Sequence, residues 1–589
     1  MSGKNGDHRW NAALADIYGD ARAQELGPTV RALLDTHAGG QALGDQGRKP
    51  KWDERDAWLI AYPDQVRSDG DAPLAALDSF FQSHLAPGFN GLHVLPFFPS
   101  TSDEGFSISD YTAVEPSFGG WDDITTIGRH SRLMVDAVLN HSSASSRQFE
   151  RWRDGEPGYE RFFRTADPGA DLSGTTRARE HPLLTPFETA RGTEWVWTTF
   201  SADQADLNYG DPRVLLSMLE VLLSYAQRGA SIVRLDAACF LWKQEGTSSI
   251  HLPQTHRIIQ FFRACFDETY PNVLIVSETN VPHDENISYL GDGVVSEADM
   301  VYRFTLPPLT LHAFDSGQAQ DLGRWLAGTN DIPPQTTYLN FLASHDGVGL
   351  RPLEGIAADA AVDRLVAQAE RYGGRANRRQ RADGTSVAYE LNATWYDLIR
   401  GSTTGDDALA RHLASHAIMF ATAGVPAVYI HALLASENDA SLMNATGAAR
   451  SINRTRLESS SLERMLADPQ SRAARSLAAI KMMLGWRASS AAFHPASEQV
   501  ILDTPPQLLG IERQSASGTL ARVFVNVSGS NIHIDHEPAV EAHGFRFREV
   551  STGYDLDPWG TVWLPNLSSD NIRADSIATR STPPYDQRY

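Results

Sequence analysis

From about Trp52 onward, short apolar and β-branched runs alternate with longer segments whose apolar residues recur at helical spacing. The runs are DAWLIAYP, GLHVLPFFP, SRLMVDAVLNH, ASIVRLDA, NVLIVSE, DMVYRF, TTYLNFLASHD and GVPAVYIHALL. Eight strand candidates in this rhythm predict an α/β fold, a parallel (β/α)8 barrel. Two polar stretches interrupt it. The first, over 142–211, is Arg- and Pro-rich and too long for a simple crossover, which predicts an inserted subdomain. The second, over 347–407, follows the seventh run. In a barrel of this kind both insertions leave at the C-terminal ends of the strands, the face that carries catalytic loops.

Outside the barrel the pattern changes. Residues 1–51 read as a mainly helical extension packed against its outside. From 490 to 589 short alternating strands with turn signals, QLLGIERQS, ARVFVNVSG, FREVST and TVWLPN, predict a small antiparallel β-domain, and the polar end from Ser569 is expected to be partly mobile. The barrel itself then divides into 52–141, 212–346 and 408–489.

Composition narrows the functional classes. With 51 Lys and Arg against 73 Asp and Glu, the formal charge of −22 disfavours nucleic acid and anionic membranes as partners. No apolar run approaches membrane-spanning length, and MSGKNGDHRWNAAL lacks the apolar core of a secretory signal, so a cytoplasmic location is expected. Cys239 and Cys265 read as small core residues, and no Cys and His spacing suggests zinc.

Chemistry enters at the ends of three runs: Asp236 in SIVRLDA, Glu278 in VLIVSETN and Asp346 in LNFLASHDG. Acids delivered by several strands to one barrel face are how this fold assembles a site, and two such carboxylates can serve as nucleophile and acid/base in glycosidic bond cleavage. Arg234, two residues before Asp236, shares its strand face and is expected to keep it ionised; a plain surface ion pair is the alternative. Glu278 must instead hold its proton until it donates to a leaving oxygen.

These segments carry a resemblance. ARGASIVRLDAACFLWK, VSETN, ASHDG and DAVLNH are similar, in order and spacing, to the four sequence regions of the α-amylase superfamily, glycoside hydrolase family 13. That resemblance implies Asp236 as nucleophile, Glu278 as acid/base and Asp346 as the carboxylate that grips the sugar and stabilises the transition state. It also implies that Arg234, His141 and His345 line the glucosyl subsite. Within the superfamily, LHVLPFFPSTSDEGFSISDY, SFGGWDD, WKQEGTS, FTLPPLTLHAF and GVPAVYIHALLASEND with ARSINR resemble the sucrose phosphorylase subfamily. By that likeness Asp103 and Arg454 clasp the distal hydroxyls of one glucosyl unit, Phe106 supplies an apolar wall, and Lys243 stands near the acceptor subsite. No metal or organic cofactor is implied. Asn140 falls where many amylases bind calcium, but no acidic ligands are identifiable beside it.

The chain departs from sucrose phosphorylases in VSETNVPHDENISYLG, RPLEG and YGGRANRRQRADGTSVAYELNATWYDLI, which look more like the glucosylglycerate phosphorylase branch. The likeness implies phosphorolysis of 2-O-α-glucosylglycerate to α-glucose 1-phosphate and glycerate, with sucrose, sucrose 6′-phosphate or glucosylglycerol phosphorolysis, or an α-glucosidase or transglucosidase, as alternatives. Phosphate and a glycerate carboxylate are both anions that Arg binds in bidentate fashion. Arg351 is the leading candidate for that task, ahead of Arg375, Arg378, Arg379 and Arg381, and Gly373-Gly374 is a candidate hinge for their loop.

Overall fold

The computed structural model describes residues 9–37, 51–177, 179, 181–380, 386–536 and 539–567. All eight apolar runs become strands of one closed parallel barrel: β1 (Trp58–Ala61), β2 (Gly91–Val94), β3 (Arg132–Val138), β4 (Ala230–Asp236), β5 (Leu274–Ser277), β6 (Met300–Tyr302), β7 (Thr337–Asn340) and β8 (Val425–Tyr429). Each strand lies beside its neighbours in sequence, with β8 closing onto β1, the arrangement that repeated crossovers produce. The strands are apolar on both faces because side chains fill the interior and helices cover the exterior; all seven residues of β3 are buried. Gly91 opens β2 opposite Trp58, and a Cβ there would lie 2.1 Å from the indole ring.

The run TTYLNFLASHD is strand for only part of its length. β7 stops at Asn340, whose partner in β8 is Pro426, a residue with no N–H to offer a continuing ladder. The Asn340 amide donates instead to the carbonyls of Thr422 and Ala423 at 3.2 and 3.1 Å, and Phe341–Asp346 leave as a loop.

After β3, strands His141–Ser143 and Gln204–Asp206 pair antiparallel, and a hairpin joins Leu184–Thr189 to Gly192–Trp197. After β7, Val348–Gly349, Ser386–Asn392 and Arg375–Gln380 form a three-stranded antiparallel sheet, backed by helix Asp359–Arg371. Beyond the barrel, a six-stranded antiparallel sheet runs from Glu498–Ile501 to Gly553–Leu567.

Helices Arg9–Tyr18 and Asp20–Thr36 dock on Pro253–Thr269, the helix between β4 and β5. The Trp10 indole donates to Glu268 at 2.9 Å and Arg31 pairs with the same carboxylate at 3.0 Å. Among the described residues no helix is long and apolar enough to cross a membrane. Lys4, Lys49, Arg381 and the tail from Ser569 lie outside the described residues, as does the side chain of Arg379.

Candidate active site

Asp236 is the last residue of β4, Glu278 follows β5 directly, and Asp346 comes from the loop after β7. All three line one cavity of about 870 Å³. Arg234 lies beneath it, buried, with Nη1 donating to Asp236 Oδ1 at 2.7 Å and also to Asp136 of β3; its Nη2 stands 3.9 Å from Glu278 Oε2. Asp136 is shared with His93 of β2, at 2.7 Å. Ala237 adopts a left-handed conformation (φ 49°) that turns its amide onto Glu278 Oε2 at 3.0 Å. A non-glycine residue there is strained, and the hydrogen bond is part of what holds it.

Burial sets the electrostatics. It pushes Glu278 up to about 7, with Asp236 and Asp346 reinforcing it and Arg234 opposing. Burial also pushes Asp236 upward, with Asp136 reinforcing it, and the Arg234 guanidinium expected to keep it ionised opposes that shift without cancelling it. The guanidinium nonetheless touches Asp236 and only approaches Glu278, so the first proton the pair takes up resides on Glu278. Asp346 behaves oppositely. Against its burial, Arg450 in contact and Arg454 at 3.6 Å hold it well below the usual carboxylate range. Burial lowers the neighbouring His345 to about 3, leaving a neutral ring that stacks on Phe106 with centroids 4.8 Å apart.

Asp103 lines the cavity, and both it and Glu104 have positive φ (52° and 46°). The segment is fastened to the first insertion: Thr101, Ser102 and Ser107 donate to Asp203 at 2.5–2.6 Å, and Gln204 donates to Asp103 Oδ2 at 3.2 Å. His141 lines the same wall, its Nε2 donating to the Phe106 carbonyl at 2.9 Å.

Two of the expected site residues, Arg454 and Lys243, do not line the cavity. Arg454 sits behind the wall, its Nε donating to the His345 carbonyl at 2.8 Å and its Nη1 3.4 Å from Glu104. Four residues earlier in the same segment, Arg450 lines the cavity in its place. Lys243 is buried. Its ammonium is buried between Asn140 Oδ1 (2.5 Å) and Asp206 Oδ2 (3.2 Å), and it does not line the cavity. Burial lowers its proton affinity, and Asp206 works against that.

Arg351 lines the cavity, and no ion pair joins it to an acidic side chain among the described residues. Arg177 and Arg179, from the first insertion, line it too. The sequence pattern did not single them out, because one Arg-rich polar stretch looks much like another. Arg375 and Arg378 are exposed on the hairpin outside the cavity, with Arg375 reaching Asn444 at 3.4 Å. The remaining wall is aromatic and apolar, with Phe200, Phe240, Phe304 and Phe341 prominent.

A model of the α-amylase catalytic domain matches residues 86–351. The chain is 46% identical over 519 residues to a glucosylglycerate phosphorylase of Allomeiothermus silvanus, covering 87% of this chain and 91% of that one. It is 40% identical to a glucosylglycerate phosphorylase of Escherichia coli, covering 94% and 98%. The crystal structure of sucrose 6F-phosphate phosphorylase from Thermoanaerobacter thermosaccharolyticum superposes with a TM-score of 0.70 at 23% identity, over 82% of this chain and 96% of that one, a likeness of fold.

Proposed function

Because the chain belongs to the α-amylase family, glycoside hydrolase family 13, and carries three carboxylates around one cavity, we propose a retaining α-glucoside phosphorylase acting on 2-O-α-glucosylglycerate. The observation that carries this reading is the pairing of an acid pushed up to about 7, Glu278, with a guanidinium-bound neighbour, Asp236, in a cavity that Arg177, Arg179 and Arg351 also line. Phosphate and the carboxylate of glycerate are the anions those arginines suit. The close identity to glucosylglycerate phosphorylases supports glycerate over fructose as the leaving group.

The proposed reaction is a double displacement. Asp236 attacks the anomeric carbon as the bond to the leaving oxygen breaks, and Glu278 gives that oxygen its proton. A covalent β-glucosyl ester and free glycerate result. Phosphate then attacks the same carbon from the vacated side, any proton on the attacking oxygen passes to the Glu278 carboxylate, and Asp236 leaves. The product is α-glucose 1-phosphate, with the anomer retained after two inversions. Asp346, with Asp103 and His141, is assigned to grip the sugar hydroxyls, and Arg351 with Arg177 and Arg179 to hold the two anions in turn.

Incubation of purified protein with glucosylglycerate, with and without inorganic phosphate, tests the reading. Phosphate-dependent formation of α-glucose 1-phosphate is expected; glucose released at the same rate without phosphate makes the protein a hydrolase. In the synthetic direction, glucose 1-phosphate offered with glycerate, fructose, fructose 6-phosphate and glycerol should favour glycerate, and preference for fructose would reassign the acceptor.

A further inference from the structure

The sheet inserted after β7 is wired to Asp346 by a residue that has no place in the reaction above. Glu390 lies in strand Ser386–Asn392, opposite Gly349 on one side and Asn377 on the other. Its side chain does not point to solvent. It passes over the backbone next to Asp346, where a Cβ on Gly347 would come within 2.6 Å of Glu390 Cγ, so glycine at 347 leaves the room it needs. The carboxylate ends in the cavity wall, buried, with Oε2 accepting from the Asn377 amide at 2.7 Å and Oε1 from Arg450 Nη2 at 2.7 Å.

Arg450 uses its other terminal nitrogen on Asp346 Oδ1. One guanidinium therefore spans two carboxylates, by a hydrogen bond to Glu390 and an ion pair with Asp346, and Glu390 fixes where its charge stands against Asp346. The other charges here are Arg454, 3.6 Å from Asp346, and Arg179 and Asp103, which act on Glu390 and Arg450 respectively. Arg454 spends its Nε on the His345 carbonyl and its Nη1 on Glu104, while its Nη2, which has no hydrogen-bond partner, stands 3.6 Å from Asp346 Oδ1, so Arg450 is the guanidinium in closer contact with Asp346.

We propose that Glu390 is a positioning residue for glucosyl transfer: it orients Arg450 so that Asp346 is presented to the sugar, and occupies a guanidinium that phosphate would otherwise take up in the glucosyl subsite. The inserted sheet thereby belongs to the donor site. This rests on the reading of Asp346 as the sugar-gripping carboxylate.

The test compares wild type, Glu390→Gln and Glu390→Asp on α-glucosyl fluoride, a donor whose leaving group needs no glycerate site, and on glucosylglycerate. Glu390→Gln is expected to lower kcat on both donors about 10- to 100-fold, the scale of a reacting group displaced by about an ångström, with KM changed far less. Inorganic phosphate should also become a competitive inhibitor against the donor. Glu390→Asp should recover part of kcat and reverse the phosphate inhibition, a rescue that a merely structural role does not give. A Glu390→Gln kcat within twofold of wild type, or losses in both variants that follow only a lowered melting temperature, overturns the proposal. Wild type inactive on both donors instead sinks the phosphorylase reading beneath it.

Discussion

Replacing Glu278 by Gln separates the proton-donor role from everything else the cavity does. With its carboxyl at about 7 instead of 4.5, roughly a quarter of the enzyme carries the proton at pH 7.5, against about one part in a thousand for an ordinary glutamate. Phosphate titrates in the neutral range as well, so the quantity to follow is kcat/KM for the glucoside donor. That constant contains no phosphate step. It should level off below about pH 7 for as long as Asp236 stays ionised, and fall tenfold per unit above it. Glu278→Gln should cost about 10²- to 10⁴-fold on glucosylglycerate, where the leaving oxygen needs a proton, yet little in glucosylation by α-glucosyl fluoride, and the alkaline limb should vanish. The same shift acts on stability. The folded carboxyl binds its proton more tightly than the unfolded one, so this contribution is complete below about 4.5 and is lost as pH rises through about 7. The difference of about 2.5 units amounts to about 3 kcal/mol, so Glu278→Gln should raise the unfolding midpoint at pH 8.5 relative to pH 5. An alkaline limb that survives in the Gln variant, or equal losses on both donors, would refute the assignment of Glu278 as the acid.

Lys243→Met should leave Asp206 buried and uncompensated, costing about 3–5 kcal/mol, read as a lowered unfolding midpoint with reduced kcat; an unchanged midpoint would mean that the ammonium is replaceable. Arg351→Ala should weaken glycerate as acceptor by about tenfold or more while glucosylation by α-glucosyl fluoride persists, and equal loss in both would remove it from the anion site. Gly91→Ala should cost about 1–3 kcal/mol by driving a methyl group into the Trp58 ring, and a midpoint within 1 °C of wild type would show that the indole can yield.

The barrel was legible because its strands are buried on both faces, which leaves short apolar runs that little else produces. Asp236 and Glu278 were legible for the same reason, as acids placed directly where an apolar run ends. Asp346 was read as another strand-end acid, whereas Pro426 on the neighbouring strand ends the ladder early and a loop delivers it. The supporting contacts were not legible. Arg450 was in view within ARSINR, but its partner Glu390 is 60 residues away on a strand whose register only the folded sheet defines. WKQEG gives no local sign that its lysine is buried, because the burying groups come from Asn140, 103 residues earlier, and from Asp206 in the inserted segment.

The Lys243 ammonium lies between the end of β3 and strand Gln204–Asp206, and so pins the first insertion to the barrel beside His141. A pin built from a side chain has no dissociation constant. It cannot be chelated, diluted or exchanged, and it arrives with the polypeptide at a stoichiometry of one. The wall that carries His141 and Gln204 is thereby held by a contact internal to the chain.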